Sequence, residues 1–169
     1  METKMVKKWN IALFLKDESS VTEKWIRIKK STAFDLSMNP ETQDFDYISD
    51  ESPTKELMKY APTLNQSLTM YKGEPDYELV FDKFFNLKVG SDAKSKVLIA
   101  FFQEPLDKDA EPHKVFKAWK SDCVISVNNL NSVDSTITFD ILFGGTVQTG
   151  YVSVTDGEPV FTSGEYTAE

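Results

Sequence analysis

Alternating and continuous apolar positions dominate the chain, and most of them predict strands. Ile11–Leu15 is a short apolar run of the kind that forms a buried strand. Trp25–Lys29 follows, with Ile26 and Ile28 on one face and Arg27 and Lys29 on the other. Val97–Phe102 is apolar on both faces, which predicts a central strand covered on both sides. Val115–Trp119 and Cys123–Val127 read as two strand segments or as one long bent strand. Thr136–Phe143 alternates most cleanly: Ile137, Phe139, Ile141 and Phe143 line one face, and Thr136, Thr138 and Asp140 the other. Gly144-Gly145 then predicts a hairpin turn into a strand over Thr146–Thr155, and Asp156-Gly157 a second turn into Pro159–Thr162.

One segment has the helical period instead. Tyr77, Val80, Phe81, Phe84 and Phe85 fall at i, i+3, i+4, i+7 and i+8, a single apolar stripe. Pro75 suits the first helical position, Asp76 and Glu78 suit the positive end of the dipole, and Gly90 supplies a stop. The spacing predicts a helix over residues 75–87 that covers one face of the sheet.

Residues 37–68 fit neither period. They hold Pro40, Pro53 and Pro62 and a cluster of acids, yet also Phe45, Tyr47, Ile48, Leu57, Met58 and Tyr60. The stretch reads as a long loop, and loops of that length in a compact domain are usually functional. Its apolar side chains are too many for a solvated linker, so burial against a neighbouring subunit is expected. No internal repeat or low-complexity tract occurs. A chain of 169 residues with 40% hydrophobic residues suits one globular domain over residues 1–169.

Charge sharpens the expectation. The net charge is −8, which argues against a protein that grips nucleic acid through a basic surface. Residues 1–30 nevertheless carry eight Lys/Arg against four Asp/Glu, while residues 39–58 carry six acids against Lys55 alone. Two segments of opposite sign can pair between copies of one chain. The candidate contact residues are Asp44, Phe45, Asp46, Tyr47, Ile48, Asp50, Glu51, Leu57, Met58 and Tyr60 on the acidic side. Lys7, Lys8, Lys29 and Lys30 face them on the basic side.

Catalytic and cofactor chemistry is absent from the motifs. His113 is the single histidine and Cys123 the single cysteine, so neither a disulfide nor a histidine–cysteine metal set is available. Asp44-Phe-Asp46 fails as a calcium loop because Ile48 and Ser49 stand where a ligand and a glycine are needed, and Asp107-Lys-Asp109 because Pro112 stands at the glycine position. No phosphate-binding loop and no Gly-x-Ser-x-Gly elbow occurs. No enzyme activity, metal or cofactor is expected. The charged N-terminus is followed by only a brief apolar stretch, and no apolar run is long enough for a membrane helix, so synthesis in a cytoplasm and no membrane partner are expected.

The stretch Lys30–Thr54 (KSTAFDLSMNPETQDFDYISDESPT), with Tyr60–Gln66 (YAPTLNQ) and Met70–Tyr77 (MYKGEPDY), resembles the major tail proteins of long-tailed phages and prophages of Gram-positive bacteria. It covers somewhat over a quarter of the chain. The resemblance implies two packed β-sheets flanked by one α-helix, in the tail-tube fold, with residues 37–68 as a long inter-subunit loop. It implies hexameric rings stacked into a tube within the virion tail, made in the bacterial host and serving as the conduit for DNA ejection. A tape-measure protein and then phage DNA would occupy the lumen without sequence-specific binding. The polar strand face at Thr136, Thr138 and Asp140 is a candidate lumen surface.

Two other readings stand beside this one. A soluble β-sandwich carbohydrate- or ligand-binding module would use Trp9, Trp25 or Trp119 as an exposed platform. A small enzyme on a β-scaffold would need a catalytic set that the sequence does not display.

Overall fold

The computed structural model describes residues 2–107, 109 and 114–168. Its strands are β1 (Ile11–Lys16), β2 (Trp25–Arg27), β3 (Asp35–Ser37), β4 (Pro40–Phe45), β5 (Thr54–Tyr60), β6 (Thr63–Thr69), β7 (Lys94–Phe101), β8 (Val115–Asn131), β9 (Thr136–Thr155) and β10 (Glu158–Ser163). The helix α1 (Pro75–Phe85) separates β6 from β7. The protein is mainly β, with two sheets and one helix. The large sheet is antiparallel and eight-stranded, in the order β2-β1-β7-β8-β9-β6-β3, with β10 added alongside β9. The second sheet contains only β4 and β5.

The large sheet has a core on each face because its central strands are apolar on both. In β1, Leu13 and Leu15 point to one side and Ala12 and Phe14 to the other. In β7, Val97 and Ile99 oppose Leu98 and Ala100, all buried, as the continuous apolar run implied. One face joins these residues to Leu64, Leu68, Ile125, Ile137, Phe139 and Ile141 beneath α1. The other gathers Trp25, Ala118 and Val152, with Phe116 and Phe161 packed against them. The Lys120 ammonium lies 5.9 Å from the Trp25 ring of β2 and 5.7 Å from the Phe161 ring of β10. Strands far apart in the sheet order thus approach one another, so the sheet curls over its second core.

The segment 37–68 is not a loop. It contains the β4–β5 hairpin and most of β6, a central strand whose Leu64 and Leu68 are wholly buried. Periodicity hides β6 because Gln66 occupies the inward position between those leucines; it is 1% exposed and its Nε2 donates to the Asn65 carbonyl. Gly144-Gly145 is not a hairpin turn either. β9 runs through it for 20 residues, and its pairing with β8 jumps from Asp122↔Gly144 to Lys120↔Gln148. The two glycines form a bulge, with Gly145 at φ 71° and the Ser121 hydroxyl donating to the Gly144 carbonyl. The real hairpin turns lie at 132–135, joining β8 to β9, and at Asp156-Gly157, where both residues take positive φ before β10.

The helix ends at Phe85, two residues short of the expected boundary, and Leu87 rather than a glycine takes the left-handed conformation at φ 48°. Its orientation also differs from the apolar stripe. Asp76, Val80 and Lys83 are the buried positions, whereas Tyr77, Phe81 and Phe84 are half-buried and Phe85 is 69% exposed. Polar anchors set this rotation. The backbone N–H groups of Lys29 and Lys30 donate to Asp76 Oδ2 at 3.0 and 3.3 Å. Near the other end, Lys83 Nζ donates to Glu18 Oε1 at 2.8 Å and to the Asp92 carbonyl at 3.1 Å. Tyr77 and Phe84 keep a partial contact with the core, and Phe81 lies 5.5–5.9 Å from the rings of Tyr77, Phe84 and the exposed Phe85.

Candidate assembly surfaces

The β4–β5 hairpin projects as an arm. Every residue of β5 is exposed, as is every residue of β4 except the half-buried Phe45. Hydrogen bonds pin its base: Ala61 N–H donates to the Met38 carbonyl, and Asn39 Nδ2 donates to the Ala61 carbonyl and the Thr63 hydroxyl. Asn39 stands at φ 44°, a conformation that asparagine tolerates better than most residues. Along the arm, Asp44 pairs with Lys55 at 3.6 Å and Glu41 with Lys59 at 3.3 Å. Met58 has no cross-strand partner where the register shifts at Glu41/Thr42, so it occupies a bulge.

Such an arm is poorly stabilised alone. A two-stranded hairpin is marginal in water, and exposed ion pairs contribute only about 0–1 kcal/mol each. Meanwhile Tyr47, Ile48, Leu57, Met58 and Tyr60 are all about half exposed or more, with Ile48 fully so. The tip carries Asp46, Asp50 and Glu51 with no basic residue between Phe45 and Thr54. Of these acids, Asp50 accepts from the hydroxyls of Ser49 and Thr54, which shapes the turn. The structure therefore places all ten arm-side candidates on one projection. It sets Asp44 apart, since that acid already has a lysine on its own arm.

The basic candidates lie elsewhere. Lys7 and Lys8 precede β1, and Lys29 and Lys30 follow β2; all four are exposed. Lys30 Nζ sits 5.2 Å from the Tyr71 ring centre. Arg27, which the charge argument did not single out, is exposed beside them. Its signal in the sequence was the outward position in the alternating Trp25–Lys29 stretch.

A third surface is the outer face of β6, β8 and β9 opposite α1. Asn65 Nδ2 and Asn128 Nδ2 donate to the two carboxylate oxygens of Asp140 at 2.7 and 3.0 Å, linking the three strands. Thr138 and Thr136 continue this polar face. No Lys or Arg occurs in Thr63–Thr69, Thr136–Phe143 or the end of β8 from Ile125 to Asn131.

A cleft of about 740 Å³ brings Lys16, Lys94 and Lys96 together with Asp92 and Asp122 beside Cys123. Burial pushes the Cys123 thiol up to about 12, only partly offset by the Lys83 ammonium. The thiol therefore stays protonated at neutral pH and is a weak nucleophile. At pH 8, alkylation of Cys123 in the folded protein should run about a thousandfold slower than in the unfolded chain, because thiolate is that much scarcer. Mass spectrometry of iodoacetamide-treated protein with and without urea measures the ratio; comparable rates would mean that the cleft opens. Among the described residues no group of three or more His, Cys, Asp or Glu could hold a metal ion. His113 lies outside the described residues.

The three tryptophans do not form a binding platform. Trp25 is buried, Trp119 is half-buried with its edge against Phe101 at 5.6 Å, and only Trp9 is exposed.

No family model matches the chain, and no curated protein matches it either. Solved structures do. A sheath/tube terminator of an extracellular contractile injection system, PVC, in its extended state aligns with TM-score 0.51 and 10% identity over 87% of this chain and 97% of that one. The tube-terminating cap of the anti-feeding prophage aligns with TM-score 0.52 and 11% identity over 88% and 94%. A chain from the tail of an empty GTA particle with C6 symmetry aligns with TM-score 0.50 and 12% identity over 83% and 96%. Nearly whole chains match at an identity that carries only architecture, so this protein has the fold of these tail and injection-system components.

Proposed function

We propose that this chain is a structural subunit of a phage-type tail tube, without catalytic activity, which joins copies of itself into rings that stack. The observation that carries the reading is the projecting β4–β5 arm, which exposes five large apolar side chains and leaves the domain core complete without them. A contact between an arm and a different surface on the next copy is heterologous, so it closes into a ring or continues as a stack. The fold supports the same reading, as do the names of the matching structures. The resemblance of residues 30–77 adds hexameric rings, a virion tail location and a Gram-positive host. In such a tube, the polar face around Asp140, Thr136 and Thr138 suits a lumen. It offers phosphate no cation, so DNA would slide past rather than bind.

Two of the matching structures are named as terminators of a tube rather than its body. That favours a second reading in which this chain forms the single ring at one end. Sedimentation velocity and negative-stain microscopy over a wide concentration range separate the two. Tubes lengthening with concentration are the expected result for a tube-body subunit, and discrete rings that never stack are the result for a terminator. Monomers at every concentration would overturn self-assembly altogether.

A further inference from the structure

Between the start of β1, the end of β2 and the connection into β3 lies a groove of about 390 Å³. Its rim carries Lys8, Arg27 and Lys29, its walls include Trp9 and Phe34, and the buried Gln66 lies at its base. No acidic side chain lines it. The three cations are exposed, and no ion pair among the described residues engages any of them. Trp9 is 64% exposed and Phe34 41%, so the groove offers two aromatic walls beside polar Ser31, Thr32 and Gln66 and is cationic at its edge.

We infer that this groove is the socket for the tip of the β4–β5 arm of another copy of the chain. The inference rests on the self-assembly reading and specifies which surface the arm meets. The tip is the groove's complement in both chemistry and charge. At its apex Ile48 is fully exposed and Tyr47, stacked on Phe45 at 5.8 Å, is half exposed, and Asp46, Asp50 and Glu51 are their neighbours in sequence. Seating Tyr47 and Ile48 between Trp9 and Phe34 buries an aromatic and a branched aliphatic anchor, the side-chain types that dominate interface energetics. It also sets three carboxylates against three cations at the rim, where such pairing mainly steers approach and fixes register.

The occupant is a second copy because the arm cannot serve its own groove. Phe34 lies just before β3, at the arm's base, whereas the six residues of β4 carry the tip about 20 Å away at roughly 3.3 Å per residue. Folding the tip back would break the β4–β5 ladder and the hydrogen bonds at Asn39 and Ala61. A contact that runs from one chain's tip to the next chain's arm base repeats from copy to copy, so it closes into a ring or continues as a stack.

Paired cysteines test the contact. Phe34→Cys with Ile48→Cys in one chain, on a Cys123→Ser background, should give a ladder of disulfide-linked oligomers under mild oxidation at concentrations where the wild type assembles. Each single-cysteine variant should stop at the dimer. A disulfide needs Cα atoms within about 7 Å, so an internal bond across the arm is excluded. In parallel, Arg27→Glu with Lys29→Glu should raise the concentration for half-assembly at least about tenfold, and adding Asp46→Lys with Glu51→Lys should restore it. Wild-type assembly with no ladder and no effect of the charge reversals overturns the socket while leaving self-assembly standing, and gives the groove to some other partner. A wild type that never assembles, with no ladder, overturns both.

Discussion

Replacing residues 42–58 with a short Gly/Ser linker should leave the domain folded and abolish its assembly. β4 and β5 pair in a ladder only with each other, and their side chains contribute nothing to either core cluster. Removing them uncovers no buried apolar surface. The anchoring bonds at Met38, Asn39, Ala61 and Thr63 all lie outside the excised residues. The entropic change from altering the loop is small, about 0.6 kcal/mol for each doubling of length. Thermal melting followed by circular dichroism should therefore shift by no more than a few degrees. Microscopy should show that rings and tubes are lost, because the arm's exposed apolar residues are the surface most in need of a partner. An unfolded product would mean that the arm belongs to the core, and normal tubes would mean that assembly uses other surfaces.

Much of the sheet was legible because its strands separate a buried face from a wet one. Thr136–Phe143 declared itself in this way, the run at Val97 by being apolar on both faces, and the Asp156-Gly157 turn follows from the positive φ that its residues tolerate. Legibility failed where burial and polarity part company. β6 carries Gln66 at an inward position, so its alternation looked like loop sequence. The arm strands face solvent on both sides, and no core imposes a period on them. Gly144-Gly145 suits a turn or a bulge equally well as sequence, and the choice depends on β8 continuing past it with Ser121 in the gap. The helix stripe was read from apolar spacing alone, but an aspartate and a lysine fixed the rotation. For assembly, composition separated the acidic arm from the basic N-terminal region. It did not show that Arg27 and the aromatics Trp9 and Phe34 line one groove with Lys8 and Lys29, since that depends on packing between β1, β2 and the connection that follows.

The lysine that helps to orient the helix also makes Glu18→Ala strongly destabilising for a change at a partly exposed position. The Lys83 side chain is 2% exposed and its ammonium is held by Glu18 at 2.8 Å and the Asp92 carbonyl at 3.1 Å. Without Glu18 the buried cation keeps one neutral acceptor, the Asp92 carbonyl, and only water entering from the adjoining cleft to replace the carboxylate. Breaking a buried pair from one side typically costs about 3–5 kcal/mol. Glu18 is itself 35% exposed, so water can partly replace it and the lower end, about 3 kcal/mol, is expected. In a domain of this size that lowers the melting temperature by roughly 6–12 °C. Lys83→Met should behave in the opposite way. It keeps the volume and removes the charge that needs desolvation, while Asp92 borders the cleft, where water can take up its carbonyl, so stability should be unchanged or higher by about 1 kcal/mol. On the Lys83→Met background, Glu18→Ala should then cost under about 1 kcal/mol, because no buried cation remains to be stranded. Urea unfolding of the four proteins completes the cycle. Equal costs for Glu18→Ala on both backgrounds would show that the ammonium is solvated in the folded state and that apolar packing alone sets the rotation of the helix.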